Sequence, residues 1–283
     1  LNSTNERVTT ALLLAAGIGS RLSPLTQNRP KCLTMVNGMS ILERMILNLN
    51  KHGFKRLVVV TGHLENCIKE FLGNRVGNIH IDYVFSPQYK TTNNIYSLWM
   101  ARKVINEPFL LLESDLVFDD SLLVDMLYPD RLAMAKMLPS LNGTFITLNQ
   151  SQYVKAFWAA GSDSFGESQY KTVNIYSLSL NSWRGVVERL NQRIADGKVN
   201  DYYEVVFAEM IADGSLSFKG VSFDAMPWYE IDTLQDLKQA EKLFSFRYPM
   251  SRKAVTRSLP GLPDLKLVKV DTAPLEIREV LDA

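Results

Sequence analysis

The chain is poor in most of what marks a secreted, membrane-bound or nucleic-acid-coating protein. Cys32 and Cys67 are its only cysteines in 283 residues, too few for a disulfide framework and outside any C-x-x-C or Cys/His pattern with metal-ligand spacing. Both read as reduced core thiols, and the compartment expected from them is cytoplasmic. An excess of one charge is also missing: 31 basic residues face 30 acidic ones, for a formal net charge of +1. That balance excludes the electrostatic footprint of a nucleic-acid or membrane-surface protein. Any anion site must therefore be local. The first apolar run, Ala11 to Ala16, is too short for a signal-peptide core or a membrane span, and it leads into a glycine loop. Internal repeats and low-complexity tracts are absent. The three histidines, His52, His63 and His80, have no partner pattern and read as structural.

What is present is a core-forming composition, 46% hydrophobic and 22% charged, laid out in the first half as short apolar runs alternating with helical patterns. This alternation predicts βαβ units and a mostly parallel, Rossmann-like α/β sheet with helices on both faces. Strands are expected at Val8 to Ala15, Arg56 to Val60, Ile79 to Phe85 and Phe109 to Leu112. Helices are expected after the S-x-x-E box at Ser40 and Glu43 as far as Gly53, around Glu65 to Leu72, and over Ile95 to Ile105. The continuous run FLLL predicts a strand buried on both faces, which puts Glu113, Ser114 and Asp115 at its carboxyl end, where open α/β sheets bind ligands. From about residue 132 the pattern changes to short strands at Leu132 to Met137, Thr144 to Thr147 and Val154 to Phe157, with a turn at Asn142-Gly143. These predict a small antiparallel insertion or second lobe. Helical patterns return at Trp183 to Ile194, Tyr203 to Ile211 and Leu234 to Phe246, with a strand over Leu216 to Phe223. Beyond Tyr248 periodicity fades and Pro249, Pro260, Pro263 and Pro274 punctuate a linker or appended tail, 249–283, after a domain spanning 1–248.

The chemistry-bearing feature is the run Leu12 to Leu33, LLLAAGIGSRLSPLTQNRPKCL. A strand ends in a glycine-rich turn, where missing Cβ atoms let backbone N–H groups approach a phosphate or a base. There is no G-K-[ST], so this is not a P-loop, and Leu22 stands where a dinucleotide fingerprint needs its third glycine. Arg21 and Lys31 flank the loop as permanent cations able to balance a triphosphate and the charge of a leaving pyrophosphate.

The ordered pattern L-x-A-A-G-x-G-x-R-L-x-P-L-T-x-x-x-P-K resembles the signature of sugar-phosphate and alkyl-phosphate nucleotidyltransferases, and the resemblance runs from about Thr9 to about Phe246. It implies a site for a nucleoside triphosphate and Mg²⁺, in which a phosphate monoester or phosphonate attacks the α-phosphorus and displaces pyrophosphate. It also implies that Leu14, Ala15, Ala16 and Gly17 hold base and ribose through the backbone, that Gly19, Ser20 and Arg21 hold phosphates, and that Lys31 serves the α-phosphate. Asp115 and Asp232 match the family's two metal-binding aspartates. Hard carboxylate oxygens suit Mg²⁺, although Asp232 reads equally as a helix-capping residue before Thr233.

Thr92 to Leu98, TNNIYSL, is similar to the corresponding segment of the phosphocholine and aminoethylphosphonate cytidylyltransferases, which assigns Asn94 and Ser97 to cytosine selection. The bland alternative is a helix N-cap followed by core-facing residues. For the acceptor, the candidates are Lys171 and Asn174 in Tyr170 to Ser177, with a strand edge and a solvated lysine as the alternative. Asp201, Tyr202, Glu204 and Glu230 are candidates for its head group. A primary ammonium wants carboxylates and a quaternary one wants aromatic faces, and these segments contain both.

The function expected is transfer of CMP from CTP to a small phosphonate, 2-aminoethylphosphonate first, then phosphocholine, then a sugar 1-phosphate. A silent nucleotide-binding regulatory module is the non-enzymatic alternative. Expected partners are CTP and the acceptor, with no nucleic acid or membrane. Because relatives of this kind are in some cases fused to a second enzyme, the tail and the non-Met start raise the same expectation for the full-length protein.

Overall fold

The computed structural model describes residues 7–137, 143–159 and 168–245. Strand β1, Thr10–Ala15, is buried at every position. It is followed by helix α1, Ile41–Lys51, strand β2, Arg56–Thr61, helix α2, Glu65–Leu72, strand β3, Ile79–Phe85, helix α3, Asn94–Ala101, and strand β4, Phe109–Glu113. Ser40 caps α1 by accepting from the Glu43 amide, and Gly53 (φ 75°) follows the helix in the left-handed region that favours glycine. Strand β1 pairs in parallel with both β2 and β4, and β2 pairs in parallel with β3. The order β3-β2-β1-β4 therefore reverses direction of growth at β1, and the carboxyl ends of β1 and β4 form the crevice in which such sheets bind ligands.

Alternate residues of the parallel strands feed two cores. Leu13, Leu57, Val59, Leu110 and Leu112 pack on the α1 and α2 side. Leu12, Leu14, Val58, Val60 and Leu111 pack on the other. Burial on both faces is what the unbroken apolar runs encode.

The second half builds the antiparallel part. Strand β5, Leu116–Phe118, and strand β6, Arg131–Lys136, precede strands β7, Phe145–Leu148, β8, Val154–Trp158, and β9, Tyr170–Leu178. Helices α4, Leu180–Ala195, and α5, Glu204–Ala212, then lead to strands β10, Lys219–Ser222, and β11, Trp228–Glu230, and to helix α6, Leu234–Leu243. Strand β9 joins the lobes. It pairs with β6 along its length, with β7 through Tyr170 and Lys171, and with β4 through Ile175 to Leu178, all antiparallel. Asn174 takes φ 58° where the β9–β6 register shifts, a bulge that re-aims side chains in mid-strand. The segment Tyr170 to Ser177 thus lies inside the sheet, and the reading of an edge strand with a solvated lysine is corrected: Lys171 is 2% exposed.

Helix α3 ends four residues before the expected Ile105, and α4 starts three residues before Trp183 because Ser179 caps it. The Asn142 half of the expected turn, Phe246 and the proline-marked tail lie outside the described residues. Among the described residues no helix is long and apolar enough to cross a membrane.

Candidate active site

The loop after β1 and the loop after β4 meet at the crevice. Gly17 and Ser20 are exposed. Gly19 adopts φ 69°, its carbonyl accepts from Thr26 Oγ1 at 2.8 Å, and a Cβ there would lie 3.2 Å from Lys31 Cβ. The glycine is required both by its left-handed backbone and by the lysine stem lying across it. Lys31 itself opens a short 3₁₀ turn, Lys31–Leu33, set by Pro30.

From there the Lys31 ammonium reaches 2.7 Å from Asp115 Oδ2 and 2.6 Å from Asp232 Oδ1, while Arg21 Nη2 meets Asp232 Oδ1 at 2.8 Å. Burial pulls the Lys31 ammonium downward, but Asp115 and Asp232 more than offset it and hold it above its usual value. The four residues expected to carry the chemistry are therefore brought together from three distant segments. The two aspartates are held by strand pairing: β5 and β11 are antiparallel with Leu116 opposite Glu230, and the Ile231 amide donates to the Asp115 carbonyl at 2.9 Å. A small core of Leu22, Val36, Ile41, Val117, Ile231, Ala240 and Phe244 fastens the glycine loop, this ladder and α6 to one another. Capping of α6 falls to Thr233 in a reciprocal box with Asp236, which leaves the Asp232 carboxylate to Lys31 and Arg21.

Two carboxylates converging on one cation, with Asp115 Oδ1 buried and unpartnered, offer the hard oxygens that Mg²⁺ takes when phosphates and water complete its shell. Among the described residues no group of three or more His, Cys, Asp or Glu forms a metal site from protein alone.

Beside this charged group lies a second one, more deeply enclosed. Glu113, Glu204 and Glu230 converge with Lys171, whose Nζ is 3.5 Å from Glu230 Oε2 and 2.7 Å from the Thr172 carbonyl. Asn174 Nδ2 donates to Glu230 Oε1 at 3.5 Å, and Asn174 Oδ1 accepts from Thr172 Oγ1 at 3.0 Å. Desolvation, then Asp115 and Glu204, hold the Glu113 carboxyl well above the usual range. Burial pushes Glu204 up to about 7. Glu230 is raised, chiefly by burial and next by Asp115. Glu204 Oε2 is buried with no hydrogen-bond partner among the described residues, and the Tyr176 and Tyr203 hydroxyls are buried beside it. An unmet buried group of this kind costs about 1–3 kcal/mol, so it is not there for packing.

Several sequence candidates land elsewhere. Asp201 pairs with Arg193 at the end of α4, and Tyr202 is 60% exposed; neither joins the carboxylate cluster. The tyrosine that does is its neighbour Tyr203. The Ser97 hydroxyl is buried against Ser86 at 3.4 Å, and Asn94 faces the cluster, donating to Glu113 at 3.3 Å and accepting from the Tyr203 amide at 3.1 Å. Sequence reasoning missed Glu113 and Tyr203 as members. The signal for Glu113 was its place at the carboxyl end of a buried strand, where an acid has no packing role.

Comparison with known proteins agrees with this architecture. Residues 10–142 match the family model described as Nucleotidyl transferase. The chain is 31% identical over 289 residues to the CMP-5'-(3-aminopropyl)phosphonate synthase of Streptomyces rubellomurinus, an alignment covering 96% of this chain and 45% of that protein. It is 34% identical over 121 residues to the 2-aminoethylphosphonate cytidylyltransferase of Lancefieldella rimae, covering 42% and 48%. The chain thus spans less than half the length of these two curated relatives. The solved CTP:phosphocholine cytidylyltransferase of Streptococcus pneumoniae superimposes with a TM-score of 0.71 at 23% identity, covering 83% of this chain and 98% of that one, and shows the shared fold. With the fold, the glycine loop and the family match in agreement, this chain belongs to the nucleotidyl transferase family.

Proposed function

We propose that the protein transfers CMP from CTP to a small phosphonate bearing a primary amine, 2-aminoethylphosphonate first, with release of pyrophosphate. The observation that carries this reading is the buried carboxylate cluster of Glu113, Glu204 and Glu230 placed directly beside the Lys31, Asp115 and Asp232 group. Three carboxyl groups face one lysine, and burial raises all three toward their neutral forms, so a cationic ligand is what would favour their ionised forms here. The aromatic rings nearby do not form an open box: Tyr176 packs edge-on against Tyr203 and also against Phe207 and Phe218. Unmet oxygens call for N–H donors, which a primary ammonium has and a quaternary one lacks. The names of the two aminophosphonate relatives support both the acceptor class and the cytidine nucleotide.

The reaction that fits is an in-line displacement. A phosphonate oxygen bonds to the α-phosphorus of CTP, the bond from that phosphorus to the bridging oxygen of the β-phosphate breaks, and pyrophosphate leaves with that electron pair. The phosphonate is already ionised near neutral pH, so no general base is needed, and catalysis reduces to alignment and charge balance. Gly17 and Gly19 open the loop to the phosphates. Arg21 and Lys31 balance them, Lys31 nearest the reacting phosphate. Asn94 holds Glu113 and the start of α5 together, so the wall that receives the amine is tied to the helix carrying Glu204. Asp115 and Asp232 would hold Mg²⁺, which when bound supplies further positive charge to the phosphate oxygens.

The test is pyrophosphate release from each of four NTPs paired with 2-aminoethylphosphonate, 3-aminopropylphosphonate, phosphocholine and glucose 1-phosphate. Turnover is expected with CTP, Mg²⁺ and an aminophosphonate. Vigorous turnover with phosphocholine and none with either phosphonate would overturn the acceptor assignment.

A further inference from the structure

Lys31 occupies the one point at which both aspartates face each other. The ammonium lies 2.7 Å from Asp115 Oδ2 and 2.6 Å from Asp232 Oδ1, so it bridges the two carboxylates. Arg21 meets only Asp232 and its side chain is 69% exposed, so solvent screens it. The Lys31 side chain is 13% exposed and supplies the effective counter-charge. Its stem lies over the glycine loop, with Cβ and Cδ 3.2 and 3.6 Å from where a Cβ on Gly19 would be. A lysine head is a compact charge on a flexible stem. From the same anchored stem it can stand on the carboxylates or turn to an anion seated on the loop.

We propose that Lys31 is an internal counter-ion that keeps divalent cations off Asp115 and Asp232 until a nucleoside triphosphate draws the ammonium onto the glycine loop. The inference rests on the nucleotidyl-transfer reading for the identity of that anion. With the ammonium in place each carboxylate already has a cationic partner, and a divalent ion would meet a fixed positive charge. Once polyphosphate is present, its own negative charge accommodates both cations. Nucleotide and metal then favour one another, and by linkage the effect is reciprocal. Lys31 is thus a positioning residue for the metal as well as a phosphate ligand.

The experiment is a Mn²⁺ titration by electron paramagnetic resonance in the absence of nucleotide and acceptor, on the wild type, Lys31→Met and Lys31→Arg. Lys31→Met is expected to bind Mn²⁺ at least about tenfold more tightly than the wild type, within the usual range of such couplings, while Lys31→Arg stays as weak as the wild type. Adding Asp115→Asn to Lys31→Met should remove the gain. Equal Mn²⁺ affinity in wild type and Lys31→Met, whether tight or weak, overturns the proposal. If Lys31→Met is too unstable to titrate, thermal melting carries the same comparison. Mg²⁺ should raise its Tm, or that of Lys31→Gln, more than it raises the wild type's, and equal shifts overturn the idea. Because neither CTP nor acceptor is present, the outcome separates from the turnover assay. Lysine-dependent exclusion without CTP turnover sinks the substrate assignment, and CTP turnover with equal Mn²⁺ affinities sinks the counter-ion role.

Discussion

The two charged groups at the crevice are neighbours but opposite in character. Around Lys31 the charges are matched: one ammonium serves two carboxylates, and an exposed arginine backs them. Around Glu204 they are unmatched, with Glu113, Glu204 and Glu230 facing the single buried Lys171 and with Glu204 Oε2 unsatisfied. The first arrangement is electrostatically complete and must be rearranged to receive a ligand. The second is incomplete and is finished by one. On the proposed reading, reactive chemistry belongs on the side where charges can be exchanged, and selectivity on the side where a wrong ligand leaves buried groups unmet.

Three measurements press on that contrast. The largest effect is expected from Asp115→Asn, which removes a charge from the matched side. It should lower kcat in the pyrophosphate assay by about 10²–10³-fold, with the acceptor KM nearly unchanged; a change confined to acceptor KM would merge the two sides into one.

On the unmatched side, Glu204 carries its proton up to about pH 7, and only the ionised form attracts an ammonium. The acceptor KM should accordingly fall about tenfold between pH 6 and pH 8, beyond whatever the phosphonate's own ionisation contributes. Glu204→Gln, measured alongside, isolates the difference by flattening it. Stability runs the other way: because the folded value lies above the unfolded one, the stabilisation is complete in acid and is lost as pH rises toward about 7. The Tm should drift down over that range in the wild type and less so in Glu204→Gln.

The smallest effect is expected from Thr233→Ala, which removes the α6 cap without touching either cluster. A loss of about 1 kcal/mol, seen as a Tm shift of about 2–4 °C, with unaltered KM for both substrates, would show that Asp232 is positioned by the β5–β11 ladder. A raised CTP KM would show that the helix positions it.

The same contrast explains what the sequence discloses. The matched side comes from three distant segments, but the first two are each legible from their own local pattern. Gly17 to Lys31 is one continuous motif at the end of a strand, and Asp115 follows FLLL at the carboxyl end of a buried strand, a place that periodicity alone identifies. The parallel strands and their helices are equally legible, since β3 and α2 have the boundaries that their apolar patterns predict. The unmatched side is assembled from residues 113, 171–176, 203–204 and 230, and no spacing rule links them. Whether Tyr202 or Tyr203 points inward depends on how α5 is docked, and Asp201 is claimed by Arg193 only because α4 ends beside it. Ser97 and Asn94 lie three residues apart on one helix, yet one meets Ser86 in the core and the other meets Glu113. Burial of a glutamate is a tertiary property and leaves no mark on its neighbours in the chain.

The β5–β11 ladder has a consequence for how such a protein can change. The chain leaves Asp115 through Leu116 to Phe118 and returns to Asp232 through Trp228 to Glu230 on the adjacent strand, and the Asp119 amide still donates to the Pro227 carbonyl at 2.9 Å. The segment that carries Lys171, Asn174 and Glu204, β6 to β10 with α4 and α5, is inserted between two neighbouring strands whose spacing is fixed by backbone hydrogen bonds. Loops and side chains within that insert can lengthen, shorten or be exchanged without altering the distance between Asp115 and Asp232. The insert thus hangs on a constant caliper, and on the proposed reading a change of acceptor is sought in its side chains around Lys171 and Glu204, with the β5–β11 ladder left alone.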